Sequence, residues 1–357
     1  LVFCSLICGS AAIGDTKTIG KVGVKTIVFY LFTTALAISI ALAVGTIVKP
    51  GLGLDTAAIQ TQDVTVAEST TLTETLLNII PTNPIGALAN GTMLQVIVFA
   101  LFVGIILAKL GERVEVVSNF FAQFNDIMME MTNMVMMAAP IGVYCLIART
   151  FSNIGFSGFI PMAKYMLCVL GALAIHCLGS YSALMAIFTR LNPYRFIRKY
   201  FPVMSFAFST ATSNATIPMA IETLDEKIGV SKKISSFTIP LGATINMDGT
   251  AIMQGVAVCF AAQAFGITLT PTDYLTVIAT ATLASIGTAG VPSVGLITLS
   301  MVFASVGLPV EAIAMIMGID RILDMTRTMV NITGDAMCTV IVANQDGALN
   351  RDVFNSK

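Results

Sequence analysis

Five polar residues, Asp320, Asp324, Arg327, Asn331 and Asp335, recur along a stretch that follows the apolar run 313–319 and leads into the apolar run 338–343. Such flanks predict the middle of a membrane-spanning helix. At about 100° per residue the five side chains fall within an arc of roughly 80°, so one side of that helix is a polar stripe facing away from lipid. Each charge held at the bilayer centre costs about 2.5–3.5 kcal/mol even on the gentler insertion scale. An ion pair that only locks helices together would use Arg327 with Asp324, but it leaves Asp320, Asn331 and Asp335 over. Buried pairs are also poor stabilisers beside apolar packing. A polar binding site within the membrane accounts for the stripe better.

The chemistry of such a stripe is the recognition of small charged groups. Arg327 can grip a carboxylate through two parallel hydrogen bonds, and Asp324, one turn earlier on the same face, can receive an ammonium. A second polar interruption, Asn246-Met247-Asp248-Gly249-Thr250, breaks an otherwise apolar segment. Half-helix N-termini offer partial positive charge to an anion. Helix C-termini and unwound carbonyls offer oxygens to a hard cation, which Gly249 and Gly242 permit. Asp248 and Asp335 are the carboxylates best placed by motif to balance sodium. Two Ser/Thr/Gly tips, 209–218 and 285–292, complete the set. Non-helical backbone at membrane depth is tolerated only where it lines a polar site or cavity. A pocket with one cation, one anion and two such tips describes an acidic amino acid.

Helices must hold these residues, and the composition agrees. The chain is 56% hydrophobic and 11% charged, against about 25% charged in an average soluble domain. It reads as an all-α polytopic membrane protein. A net charge of −1 without a long basic stretch argues against a nucleic-acid partner. The seven cysteines sit in apolar runs without a CxxC or Cys/His cluster. They read as small core residues, and neither a disulfide nor a metal framework follows. The first eight residues look like the end of a spanning helix and not a signal peptide, for they lack a basic start and a cleavage site. With no initiating Met, the expectation is that the natural protein begins earlier and that at least one N-terminal span is missing here.

A polar loop over 15–25 precedes a long apolar helix over 22–48, stopped by Lys49-Pro50-Gly51. An aqueous Thr- and acid-rich loop over 52–75 follows, then a piece broken by Pro81 and Pro84, a span over 93–110 and one long helix over 113–148. The Met-dense patch of that helix reads as flexible packing. The next span, 156–189, carries the sole histidine, His176. A packed histidine bonding a neighbouring helix fits it better than a proton carrier. Basic clusters at 17–25, 109–113, 190–199 and 227–233 fall on one side in consistent alternation, and the positive-inside rule places them in the cytoplasm.

That alternation requires two segments to turn back. Residues 200–223 read as two helices of about ten residues, too short to cross about 30 Å of hydrocarbon, and hence as a re-entrant hairpin from the cytoplasm. Residues 274–306 form a second, entering from outside. Each precedes a helix with a polar interruption. The two units are inverted repeats, the plan that places secondary-transporter sites at the midplane.

On these motifs the sequence resembles a known family. Asn246-Met247-Asp248-Gly249-Thr250, Gly287-Thr288-Ala289-Gly290-Val291-Pro292 and Asp324-Met325-Thr326-Arg327-Thr328-Met329-Val330-Asn331 with Asp335 are similar to ordered motifs of the dicarboxylate/amino acid:cation symporters, the excitatory amino acid transporter family. The likeness covers essentially the whole chain. It implies the glutamate-transporter fold, homotrimers, and an elevator mechanism in which a transport domain slides past a fixed scaffold. It assigns 1–14 and 52–149 to the scaffold, and 15–51 and 150–345 to the transport domain with hairpins at about 200–226 and 272–307. Residues 346–357 become a cytoplasmic tail.

By the same resemblance, substrate would touch Ser213, Thr250, Gly290, Val291, Gly295, Asp324, Arg327, Thr328 and Asn331. Asp324 would take the α-amino group and Arg327 the side-chain carboxylate. One sodium set matches Gly242, Asn246, Asn331 and Asp335, and another Thr244, Ser285, Ile286 and Thr288. A third matches Tyr30, Thr33, Thr34, Asn246 and Asp248. Members commonly carry a second arginine at positions that are Ala211 and Met325 here, so affinity and any potassium counter-transport do not carry over.

The expected function is symport of aspartate or glutamate with sodium across the plasma (inner) membrane, with no cofactor and no enzymatic activity. Competing readings are a proton-coupled, neutral amino acid or dicarboxylate symporter of the same family, and an ion channel. Asp324 disfavours dicarboxylates and Arg327 disfavours neutral amino acids. A channel needs a continuous polar path, and an intramembrane enzyme needs a nucleophile with a base. Aspartate against glutamate stays open, because one methylene is worth only about 1–3 kcal/mol. The second tip holds Gly287 and Gly290 and the first holds no glycine, so the second is expected to hinge more freely.

Overall fold

The computed structural model describes residues 3–4, 7–8, 11, 20–54, 80–90, 93–137, 141, 144–145, 148, 152, 159–285, 295–317 and 319–356. Their regular structure is helical, apart from one isolated antiparallel bridge between Val230 and Leu349. The first half contains α1 (Gly20–Val48), α2 (Pro84–Asn90), α3 (Met93–Leu110), α4 (Glu115–Met136), α5 (Phe159–Ala174) and α6 (Tyr181–Thr189). The second half contains α7 (Pro193–Thr210), α8 (Ser213–Thr223), α9 (Lys232–Ile245), α10 (Asp248–Ala264), α11 (Pro271–Ser285), α12 (Gly295–Ser305), α13 (Glu311–Met317), α14 (Asp320–Gln345) and α15 (Arg351–Asn355). Three described stretches, Val22–Val48, Phe159–Thr189 and Ile234–Ala264, are long and apolar enough to cross a membrane.

Local chemistry sets the helix ends, and several differ from expectation. α1 starts at Gly20, so Lys21 and Lys25 lie on the helix and not in a loop. It stops where Lys49 takes a left-handed φ of 51° while its N–H bonds the Gly45 carbonyl at 3.1 Å. Asn192 starts α7 by accepting the Tyr194 N–H, with Pro193 in the first turn, where its missing N–H costs nothing. This makes α7 18 residues long, not about ten, because the capped, basic opening of 193–199 continues directly into the apolar part. Ala211 then turns left-handed at φ 52° and Thr212 extends at φ −141°, which reverses the chain into α8.

The polar stripe is likewise not the middle of one unbroken helix. α13 ends at Met317 and α14 begins at Asp320, with Ile319 at φ −112° and ψ 0° between them. A carboxylate in the first turn suits the partial positive charge of a helix start, and Asp320 occupies it. The other expected interruption is present: α9 ends at Ile245, α10 begins at Asp248, and Asn246 is extended. Helices α7 and α8 pack against each other, as do α11 and α12. The second tip, 286–294, lies outside the described residues, as do 55–79 and most of the helix expected beyond Met136.

Two helices form the centre. Every residue of α10 from Asp248 to Ala262 is buried, the mark of a helix enclosed on all sides. It lies against α1, α5, α11, α12 and α14. Helix α14 is buried from Val330 to Ala343 and is covered by α1, α5, α6, α7, α8 and α9. Large apolar side chains instead point outward on α1 (Val24, Val28, Phe32, Ile47) and on α5 and α6 (Phe159, Leu167, Ile187). That inside-and-outside apolarity suits lipid. A smaller core of Ile7, Ala100 and Leu107, joined by Phe3, Phe121 and Met301, sits apart from the main one.

The end of the chain folds back on the hairpin base. Phe354 is fully buried, and Lys199 Nζ donates to the carbonyls of Lys227 at 2.9 Å and Val353 at 2.8 Å. Arg351 donates to the Thr189 carbonyl at 3.0 Å, and Lys25 pairs with Asp346 at 3.0 Å. Replacing Phe354 with Ala should cost about 3–5 kcal/mol of stability, read as a lower melting temperature in detergent. Lys25→Ala breaks a solvent-screened pair and should cost only about 0–1 kcal/mol. Equal losses in the two variants would show that the segment is not packed as described.

Candidate functional site

The stripe residues of α14 face inward: Asp320, Asp324, Arg327, Asn331 and Asp335 are all at most 7% exposed. Arg327 is the hub. Its Nη1 donates to Asp320 Oδ1 at 2.8 Å and its Nη2 to Asp320 Oδ2 at 3.2 Å, a fork-on-fork pair across two helical turns. Nη2 also donates to Asp324 Oδ1 at 2.8 Å. The Nε–H is buried and has no hydrogen-bond partner among the described residues. A buried donor without a partner is costly, and here it marks where an incoming acceptor gains most. Thr328 bonds back to the Asp324 carbonyl at 2.9 Å, which fixes its side chain beside the pair.

The break before α10 meets α14 at its polar face. The Gly249 N–H donates to Asn331 Oδ1 at 2.7 Å. A side chain at Gly249 would collide with the Arg327 backbone, at 2.6 Å from its carbonyl oxygen, so only glycine lets the α10 N-terminus approach so closely. Asn246 Nδ2 donates to Asp335 Oδ1 at 2.9 Å. Asn246 Oδ1 and Asp335 Oδ2 remain buried without partners, and Gly242 lies against Asp335 and the Tyr30 hydroxyl. Two unsatisfied oxygens in a dry setting form a donor set for a hard cation.

Asp248 is different, because both of its oxygens are already bonded. Oδ1 accepts from Thr34 at 2.6 Å, and Oδ2 accepts from Tyr181 at 2.7 Å with His176 Nε2 at 3.2 Å. Of the three hydroxyls expected around Asp248, only that of Thr34 reaches it. Tyr30 donates to the Thr238 carbonyl at 3.0 Å and Thr33 to the Tyr30 carbonyl at 3.1 Å.

The tips are only partly accessible. Ser213 is buried at the start of α8, which packs on α14. Gly295 opens α12 against the Thr250 side chain, and Ser285 closes α11 with its hydroxyl on the Thr282 carbonyl at 2.8 Å. Ile286, Thr288, Gly290 and Val291 lie outside the described residues, as does the side chain of Thr244.

Two roles escaped the sequence reading. Asp320 stands on the predicted stripe but was not expected as the guanidinium's main partner; the i, i+7 spacing was the available signal. Tyr181 carried no signal at all. His176 bonds a neighbouring helix as expected, and that partner is Asp248 itself. The described buried charges are four carboxylates, Asp248, Asp320, Asp324 and Asp335, and one guanidinium, Arg327. Charges buried without opposite partners are strongly disfavoured, so this excess of carboxylate calls for protons or cations.

Comparison with known proteins agrees in kind. A model of the sodium:dicarboxylate symporter family matches residues 1–345. The chain is 34% identical over 359 residues to a proton/sodium-glutamate symport protein of Bacillus caldotenax, covering 99% of this chain and 85% of that protein. It is 36% identical over 388 residues to an excitatory amino acid transporter of Caenorhabditis elegans, covering 96% and 77% respectively. It is also 36% identical over 372 residues to a neutral amino acid transporter B(0) of Bos taurus, covering 94% and 68%.

The pairing at the Arg327 hub can be measured. Asp320→Ala leaves a buried charge short of its bidentate partner and should destabilise the ligand-free protein by about 3–5 kcal/mol. The double variant Asp320→Ala/Arg327→Met should recover only part of that loss, because it removes the stranded guanidinium but also takes its ion pair from Asp324. A double-mutant cycle by denaturant or thermal unfolding checks this, and simple additivity would contradict the pairing.

Proposed function

Because this chain belongs to the sodium:dicarboxylate symporter family over residues 1–345, we propose that it is a multi-pass plasma (inner) membrane symporter that takes up aspartate or glutamate together with sodium. The observation that carries this reading is the buried Arg327 guanidinium, with an unpartnered Nε–H beside the Asp324 carboxylate. A substrate carboxylate binds the guanidinium, and its ammonium binds Asp324 in exchange for the contact between the two. Recognition of both ends at once selects an acidic amino acid over a dicarboxylate or a neutral one. Ser213, Thr250, Gly295, Thr328 and Asn331 line the same pocket, with Gly290 and Val291 from the second tip.

Sodium is the co-substrate that answers the excess of carboxylate. Asn246 and Asp335 hold one ion through the two oxygens that lack partners, with Gly242 and Asn331 beside them. Asp248 with Tyr30, Thr33 and Thr34 holds a second, and Ser285, Ile286, Thr288 and Thr244 a third. Bound cations and bound substrate lower each other's electrostatic cost, which is a coupling free energy and therefore reciprocal.

The chain divides into a fixed scaffold of 1–14 and 52–149 and a moving transport domain of 15–51 and 150–345, which meet where Met301 packs on Ile7, Ala100 and Leu107. Two hairpins, each re-entrant, belong to the transport domain. Three copies joined through the scaffold would let each transport domain slide as an elevator. The outward apolar face of α4, with Phe120, Phe124 and Ile127 exposed, supports packing against a further copy or lipid.

Competition in proteoliposomes tests the reading. Uptake of labelled aspartate should be blocked by glutamate, but not by serine or succinate, and should need a sodium gradient. Arg327→Cys should cost at least about 2 kcal/mol, roughly thirtyfold, in aspartate affinity and should admit serine. Uptake driven equally well by a proton gradient without sodium would remove the sodium assignment. Unchanged aspartate affinity in Arg327→Cys would remove the substrate assignment.

A further inference from the structure

The sole histidine sits in the one π-helical turn that interrupts the α5–α6 span. Over Ile175–Ser180 the backbone widens, and the Tyr181 N–H bonds the His176 carbonyl five residues back. In an α-helix, residues five apart point about 140° away from each other. A π turn brings them onto nearly one face, and such turns recur at functional sites. The His176 and Tyr181 rings accordingly meet at 4.5 Å between centroids, edge to face. Both reach the same atom, Asp248 Oδ2, Tyr181 at 2.7 Å and His176 Nε2 at 3.2 Å. Tyr181 gets there past Gly334 of α14, where any side chain would occupy the place of the hydroxyl. A carboxylate oxygen only accepts, so the tautomer that bonds Asp248 carries its hydrogen on Nε2, and Nδ1 is buried without a partner among the described residues.

We propose that His176 and Tyr181 are positioning residues: the π turn makes them a two-donor clamp that fixes the Asp248 carboxylate and so sets sodium affinity. This rests on the reading that Asp248 holds a coupling ion. With Oδ2 clamped, Oδ1 is the oxygen turned toward Thr34 and the cation set. Neither clamp residue touches substrate or ion. Partners that orient a metal ligand in this way commonly account for 10–100-fold in metal affinity when removed.

Sodium titration of purified protein in detergent, without amino acid and read as a melting-temperature rise, tests this directly. Tyr181→Phe removes one hydroxyl and His176→Phe keeps the ring but removes the donor. Each should raise the half-saturating sodium about 10–100-fold. His176→Gln, which restores an N–H donor, should recover most of the affinity. In a second readout, aspartate binding by the Phe variants should fail at limiting sodium and return when sodium is raised. If His176→Phe does not fold, Tyr181→Phe carries the same comparison. Half-saturating sodium equal to wild type in both Phe variants, or tighter binding, overturns the clamp alone. No sodium response in the wild-type protein overturns the clamp together with the reading beneath it.

Discussion

Burying four carboxylates around one guanidinium imposes a constraint to which the rest of this structure responds. In a low-dielectric interior such charges must be paired, bonded or neutralised by ions. The chain uses the first two devices in different places and leaves one oxygen of Asp335 open. Asp320 and Asp324 share Arg327. Asp248 is bonded by Thr34, Tyr181 and His176. Asp335 has one donor, Asn246, and keeps an open oxygen. Asp335 therefore keeps one buried oxygen without a partner among the described residues, whereas both oxygens of Asp248 are bonded.

Meeting this constraint needs backbone irregularity, and the fold places it where the charges are. The break at Asn246–Met247 lets the start of α10 present its Gly249 N–H to Asn331. The break before Asp320 lets α14 begin with an acid whose fork closes on Arg327 two turns later. The π turn in the α5–α6 span aims two side chains at Asp248. Each irregularity is enclosed by continuous apolar helix, chiefly the buried bodies of α10 and α14. At the break before α10 the freed Gly249 N–H is satisfied by the neighbouring helix α14, as a membrane interior requires.

Membership in a symporter family gives these features a common purpose. On the proposed reading, a site that is electrically incomplete alone, but complete with a cation and an amino acid, links two solutes without a dedicated signalling element. Relatives named for glutamate and for neutral amino acids are similar to this chain over most of its length, so membership in the family does not by itself set the substrate. On the reading proposed above, selectivity lies in which stripe residues meet the substrate side chain, and Arg327 is that residue.

Much of this was legible in the residues themselves. The membrane class follows from composition, the inward stripe of α14 from its spacing, and the helix break from Asn246-Met247-Asp248-Gly249. The hairpin at 209–218 follows from its Ser/Thr run between basic clusters, although the length of α7 was underestimated because Asn192 and Pro193 cap it within the basic segment. Spacing along a chain encodes which side chains share a face, since helical periodicity is local. Only the tertiary structure decided who pairs with whom. Asp320 takes the larger share of Arg327, Thr34 alone of its neighbours reaches Asp248, and Tyr181 joins His176 through a π turn. Hydrogen-bond partners between helices depend on how those helices cross and on where one turn widens. Both are set by packing across hundreds of residues, and no local periodicity records them.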